Sequence, residues 1–113
     1  MEKIDPRFVK GLELFNHGEY FECHEVIEEL WLGTPSEDKY RDLYKGVIQA
    51  AAALYQWERG VPSGAQGLYK SSVVYLRKYM PKALGLNVEK LVEDIDLFFK
   101  ENKKETVPRL EFK

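Results

Sequence analysis

The segment from Val47 to Leu54 constrains the fold more than any other part of this chain. It reads V-I-Q-A-A-A-A-L, and wound as a helix it is apolar around nearly its whole circumference. A surface helix has one apolar stripe, whereas a helix that is apolar on all sides must be covered by neighbours. The preceding Gly46 and the alanines have small side chains, which lets those neighbours approach closely. The sequence therefore predicts a central, buried helix.

Apolar residues recur at helical spacing along most of the chain, and no convincing β-type alternation is present. Glycine and proline clusters divide the chain into five predicted helices. The first ends at Gly18, the next two span about 19–32 and 37–59, the fourth ends near residue 80, and the fifth spans about 87–103. We predict an all-α fold, a compact single-domain bundle of about five helices with short connections.

Length and composition bound the class of protein. A chain of 113 residues forms one domain of ordinary size, and 44% hydrophobic with 32% charged residues is a globular composition. We place the single helical domain at residues 1–103 and a charged C-terminal tail at 104–113. The net charge of −2 argues against a nucleic-acid-binding surface, which would be basic. A lone Cys23 excludes an internal disulfide.

Membrane and export signals are absent from the sequence pattern. No apolar run approaches the roughly 18 residues of a membrane span, so we expect no membrane association. The N-terminal residues M-E-K-I-D-P lack the apolar stretch of a secretory signal peptide. One unpaired cysteine fits a reducing compartment, and we therefore expect a cytoplasmic protein.

The second predicted helix differs from the others in its polar residues. It has an apolar arc on one side, and His24, Glu25 and Glu28 lie at the edge of that arc. A solvated helix face would usually balance its acids with lysines, and this helix contains none. We predict that it forms one wall of a polar binding pocket. The predicted pocket residues are Tyr20, Phe21, His24, Glu25, Glu28, Trp31, Gln49 and Arg59.

Two of these residues have a second interpretation. Gln49 shares a helix sector with Lys45, which favours an orientation towards solvent. A bidentate contact of Arg59 with Glu25 or Glu28 would tie the third helix to the second. In that case these pocket residues connect the two helices structurally and do not form a binding site.

Charges of opposite sign are segregated along the chain. Eight acids and no base lie between Lys10 and Lys39, whereas five bases and no acid lie between Glu58 and Glu89. We expect salt bridges between the acidic second helix and the basic fourth helix within the bundle. Contact between these helices across a dimer interface is the alternative, which makes a homo-oligomer one predicted assembly.

The string F-N-H-G-E-Y-F-E-C-H-E-V-I-E-E-L-W, from Phe15 to Trp31, resembles the signature of a family of small bacterial and archaeal helical proteins, domain of unknown function 309. The segments G-V-I-Q-A-A-A-A-L-Y and W-E-R-G-V-P-S-G-A are similar to that family as well. The resemblance implies an all-helical fold and no particular reaction, because no activity is firmly assigned to the family. The residues that match its signature are Tyr20, Phe21, His24, Glu25, Glu28, Glu29, Trp31, Gln49, Arg59, Gly60 and Gly64.

The pattern His24-Glu25-x-x-Glu28 has the spacing of a zinc-protease helix in which Glu replaces the second His. One hypothesis is that His24 and Glu28 bind a divalent metal while Glu25 acts as a base, although a catalytic zinc needs a third protein ligand and none is evident. Another is metal-free acid/base catalysis by His24. The structural interpretation is a hydrogen bond from His24 to Glu28 or to a neighbouring tyrosine.

Two functional hypotheses follow. The first is a binding or structural protein with an acidic His/Glu pocket, whose small-molecule or protein partner the sequence does not specify. The alternative is a metal-dependent or acid/base hydrolase centred on His24, Glu25 and Glu28. The sequence does not decide whether the protein is an enzyme, and the divalent metal of the alternative is the only cofactor that it suggests.

Overall fold

A computed structural model describes residues 3–113 of the chain. The expectations for the N-terminal hexapeptide and for the start of the 1–103 domain therefore lie partly outside the described residues. The five α-helices are α1 (Pro6–Asn16), α2 (Tyr20–Leu32), α3 (Arg41–Glu58), α4 (Pro62–Leu76) and α5 (Val88–Glu101). The predicted all-α fold is confirmed. None of the helices within the described residues could span a lipid bilayer.

Helix α3 lies at the centre of the bundle, as its sequence predicts. It packs against α2 on one side and α4 on the other, while α1 packs on α2 and α5 packs on α4. A Cβ added at Gly46 would lie 2.8 Å from Leu76 of α4, and the Ser72 hydroxyl donates a hydrogen bond to the Gly46 carbonyl oxygen at 3.0 Å. A Cβ at Gly11 of α1 would likewise overlap Ile27 of α2. Two of the helix crossings therefore depend on a missing side chain.

Two helices begin at residues whose side chains cap the first helical turn. The Asp5 carboxylate accepts a hydrogen bond from the Arg7 N–H at 2.8 Å, and side-chain hydrogen bonding from Arg7 lowers the pKa of Asp5. The Asn87 side chain accepts from the Lys90 N–H at 2.9 Å and starts α5. Both side chains satisfy amide groups that the first helical turn leaves unpaired.

Two predicted helix ends are wrong. Helix α3 begins at Arg41 instead of near residue 37, because the Asp38 carboxylate accepts the Tyr40 N–H at 2.8 Å and closes a turn outside the helix. Helix α4 ends at Leu76, and a short 3-10 helix (Arg77–Tyr79) replaces its last predicted turn.

A small antiparallel hairpin, β1 (Lys82–Ala83) and β2 (Leu86–Asn87), precedes α5. The sequence pattern does not predict it, because two-residue strands are too short to show an alternation. Leu84 and Gly85 connect the strands with φ values of +48° and +80°, the conformation of a two-residue hairpin turn.

Residues 107–113, within the predicted charged tail, pack on the helices. Leu110 is only 6% exposed. The Asn16 side chain donates to the Leu110 carbonyl oxygen at 2.8 Å and accepts from its N–H at 2.6 Å. Phe112 forms a β-bridge with Leu86. The segment thus covers the end of the bundle where α1 stops, while the domain limit at residue 103 stays a prediction.

Candidate functional site

The groove between α2 and α3 brings several of the predicted pocket residues together. At one end, the Phe21 ring lies 5.4 Å from the Tyr55 ring of α3 and 6.3 Å from the imidazole of His24, measured between centroids. A cavity of about 180 Å³ opens there between the helices. Its lining residues are Tyr20, Phe21, His24, Ala52, Tyr55 and Gln56.

His24 and Glu28 lie side by side in the groove. His24 Nε2 is 3.6 Å from Glu28 Oε2, too far for a hydrogen bond, so the two form an ion pair when the imidazole is protonated. His24 Nδ1 is buried and has no hydrogen-bond partner among residues 3–113. The expected structural hydrogen bond from His24 is therefore not formed within the described part of the chain.

Trp31 forms the other end of the groove. The Arg41 guanidinium and the Lys45 ammonium of α3 lie 4.3 and 4.4 Å from its ring centroid, which is cation–π geometry. Trp31 Nε1 is buried and unpaired among the described residues, and so is Gln49 Oε1 on α3. A buried polar atom without a partner costs about 1–3 kcal/mol. With His24, three such atoms lie on the two helices that form the groove.

The remaining predicted pocket residues are placed at its margins. Glu25 is exposed, and no ion pair reaches it from the described residues. Arg59 donates a hydrogen bond to the Tyr55 hydroxyl at 3.0 Å, so the contact with Glu25 or Glu28 is not formed. Tyr20 is a core residue whose ring packs edge-on against Phe15 at 5.2 Å.

The outward side of α2 carries a ladder at positions 21, 25, 28 and 32. Phe21 and Leu32 are 44% and 69% exposed, and Glu25 and Glu28 lie between them. This spacing is that of the contact seam of a coiled coil, which two helices share when they dock side by side. We call these four residues the α2 ladder.

The basic side of the groove comes from α3, and sequence reasoning overlooked it. Arg41, Lys45, Ala52 and Tyr55 share one face of that helix and lie next to the α2 ladder. Arg41, Lys45 and Ala52 lie eight, four and three residues from Gln49, and this helical spacing is the signal that could have found them. The site is thus a two-helix face, acidic on α2 and basic on α3.

The predicted salt bridges between α2 and α4 are wrong. Both helices pack on α3, and no ion pair joins them among residues 3–113. Of the bases after α4, Lys78 pairs with Asp42 at 2.6 Å and Arg77 with Asp96 at 3.5 Å. The acids of the α2 ladder are therefore left without a lysine or arginine partner in the described chain.

The described structure offers no third metal ligand beside His24 and Glu28. Among residues 3–113 no group of three or more His, Cys, Asp or Glu side chains is arranged to hold a metal ion. His24 and Glu28 supply two donors, whereas a zinc site needs at least three from the protein. Metal binding stays a prediction from the sequence spacing alone.

Cys23 gives a test of how tightly α2 is held. Its side chain is 0% exposed, and burial raises the pKa of the thiol to about 12. We expect alkylation by iodoacetamide at about pH 8 to be at least roughly 100-fold slower in the folded protein than in denaturant. In the folded protein the reagent cannot reach Cys23, and very little of the thiol is ionised to the reactive thiolate. Mass spectrometry of quenched samples measures both rates. Similar rates would mean that α2 opens readily.

Comparison with known proteins covers the helices that form this groove. The model of a family described as a domain of unknown function, DUF309, matches residues 8–68. The uncharacterised protein YpuF of Bacillus subtilis (strain 168) is 38% identical over 77 residues, which are 66% of this chain and 44% of that protein. An uncharacterised protein of Aquifex aeolicus (strain VF5) is 27% identical over 74 residues, 66% of this chain and 22% of that protein. The chain thus spans less than half the length of these relatives.

Proposed function

The chain belongs to the DUF309 family, whose matched region contains the whole α2–α3 groove, and we propose that it is a cytoplasmic interaction protein that self-associates through this groove. The occupant is a second copy of the chain, with α2 of each copy lying against α3 of the other. The observation that carries the proposal is that one face presents acids on α2 and bases on α3 that are not paired with each other.

The charges on this face have few partners inside the chain. Among the described residues neither Glu25 nor Glu28 pairs with a lysine or arginine, Glu28 having only His24 beside it, and neither Arg41 nor Lys45 pairs with an acid. A twofold axis running along the groove sets the acids of each α2 opposite the bases of the partner's α3. The same complementary contact is then made twice, as the symmetry of a dimer requires.

Apolar residues at both ends of the α2 ladder supply most of the binding free energy, because exposed ion pairs contribute little. Phe21 and Leu32 are exposed, and full burial of such a side chain contributes about 1.5–3 kcal/mol. Exposed ion pairs contribute only about 0–1 kcal/mol each, so here they set orientation more than affinity. Aromatic side chains such as Phe21 are enriched in protein–protein interfaces.

Charge reversal tests the proposed dimer. We expect the unmodified protein to be a dimer at tens of micromolar by size-exclusion chromatography with light scattering. Glu28→Lys or Lys45→Glu alone should raise the dimer dissociation constant at least about tenfold, because each creates like-charge contacts. The double variant should restore the dimer. Glu93→Lys, an exposed acid on α5, is the matched control and should change nothing.

Two outcomes contradict the proposal. A monomer at about 100 µM unmodified protein would show that the groove does not bind a second copy. A dimer that survives both single reversals, with circular dichroism unchanged, would place the interface on another face. Salt should weaken the dimer, since exposed charges are screened.

A further inference from the structure

A second cleft lies beside the C-terminal ends of α1 and α3, and residues of the C-terminal segment line one side of it. Its volume is about 600 Å³, within the range of small-molecule sites. We propose that this cleft binds a small organic anion that carries a planar ring and a phosphate monoester, the chemistry of a nucleoside monophosphate. The proposal is independent of the dimer, because the α2 ladder residues at positions 25, 28 and 32 do not line this cleft.

Aromatic side chains form the wall against which a ring would stack. Trp57 is half-buried and lines the cleft, and its ring is held edge-on to Phe98 at 4.8 Å between centroids. Phe15 and Tyr20 line it beside Trp57 and contact each other edge-on. A ring stacked on an aromatic side chain gains about 1–3 kcal/mol, most effectively when the platform is already fixed.

Two bases at the rim are free to bind an anion. Lys104 and Arg109 line the cleft, and the side chain of neither has a hydrogen bond or ion pair among residues 3–113. The backbone at Arg109 is nonetheless anchored, because its carbonyl oxygen accepts from Lys90 at 3.0 Å. A phosphate monoester carries a charge of about −1.5 to −2 at neutral pH, which matches two cations better than a carboxylate does.

Other polar groups that line the cleft suit the hydroxyl and amino groups of such a ligand. Glu58 lines the cleft and has no ion pair among the described residues, so its carboxylate is free to accept. The Tyr20 hydroxyl also has no hydrogen-bond partner there. Burial, with a contribution from the charge of Glu58, raises the pKa of Tyr20 to about 12, so this hydroxyl stays protonated and able to donate.

The cleft depends on how the C-terminal segment is docked. Lys104 and Arg109 belong to the stretch that is predicted from the sequence to be a charged tail, and they lie beyond the family match at residues 8–68. The two hydrogen bonds between the Asn16 side chain and Leu110 hold this stretch against α1. The site is therefore assembled by the tertiary fold, from residues far apart in the chain.

Calorimetric titration of the unmodified protein with AMP, GMP, CMP and UMP tests the proposal. We expect at least one to bind with a dissociation constant below about 1 mM, and its nucleoside or inorganic phosphate alone to bind at least about tenfold more weakly. Trp31→Phe leaves Trp57 as the single tryptophan, and its fluorescence should change with the same saturation curve.

Charge-removing variants locate the site. Lys104→Gln and Arg109→Gln should each weaken binding at least about fivefold while the melting temperature stays unchanged. Lys100→Gln, an exposed lysine in the last turn of α5 that does not line the cleft, is the matched control. No saturation by any of the four nucleotides up to about 5 mM overturns the proposal. So does equal binding of nucleoside and nucleotide, or binding that both rim variants leave intact.

Discussion

Phe98→Ala is expected to lower the free energy of unfolding by about 3–5 kcal/mol. The Phe98 ring is fully buried and meets Trp57 edge-on at 4.8 Å and Phe99 edge-on at 5.1 Å. Truncation removes these apolar contacts and leaves a cavity between α5 and Trp57 of α3. Because small domains are stable by only about 5–15 kcal/mol, the loss should be evident in a urea denaturation curve followed by circular dichroism.

Leu97→Ala is the matched control for that variant. Leu97 is the neighbour of Phe98 on the same helix, and it is 46% exposed. Its truncation should change the free energy of unfolding by less than about 1 kcal/mol, because surface substitutions that disturb no contact have small effects. Equal losses for the two variants would mean that the buried face of α5 is assigned wrongly.

Gly46→Ala is expected to destabilise the protein by about 1–3 kcal/mol, although alanine is the better helix former. The new methyl group would lie 2.8 Å from Cγ and Cδ2 of Leu76 and 3.3 Å from Cβ of Tyr75. Leu76 is fully buried, so it has no space into which to move. The helices would have to separate at the crossing of α3 and α4.

Gly67→Ala is expected to change the free energy of unfolding in the opposite direction. Gly67 lies within α4, and a Cβ added there meets nothing within 4 Å. Without a clash, the lower conformational entropy of alanine in the unfolded chain should stabilise the protein by about 0.4–1 kcal/mol. Thermal and urea unfolding of the two variants side by side measures both values. Stabilisation by Gly46→Ala would show that the two helices do not approach as closely as described.

Local pattern was enough for the main features of the fold. The apolar circumference of residues 47–54 predicted the buried central helix, and the helical spacing of apolar residues predicted the five helices. Both follow from interactions within a few residues, so the sequence contains them directly. The start of α3 was missed because Asp38 is as well suited to a turn as to a first helical turn, and the pattern alone does not separate these uses.

The candidate site was predictable on one side only. The unbalanced acids of α2 and the neighbouring His24 indicated the helix that forms one wall of the groove. Of the bases that lie beside them, Lys45 was placed in a sector expected to face solvent and Arg41 was not singled out, because nothing in the sequence around either base is unusual. Which residues of two helices face each other depends on how those helices cross, and that is a property of their packing.

The sequence by itself determined the helical class, the central position of α3 and the acidic character of α2, because each depends on spacing within one helix. Only the tertiary structure decided that α2 lies against the basic side of α3 and away from α4. The tertiary structure also decided that Lys104 and Arg109 of the C-terminal segment lie beside Trp57. These placements arise from contacts between residues distant in the chain. Local helix preferences are satisfied equally well by several arrangements of the same helices, and burial and close packing decide which of them is the most stable.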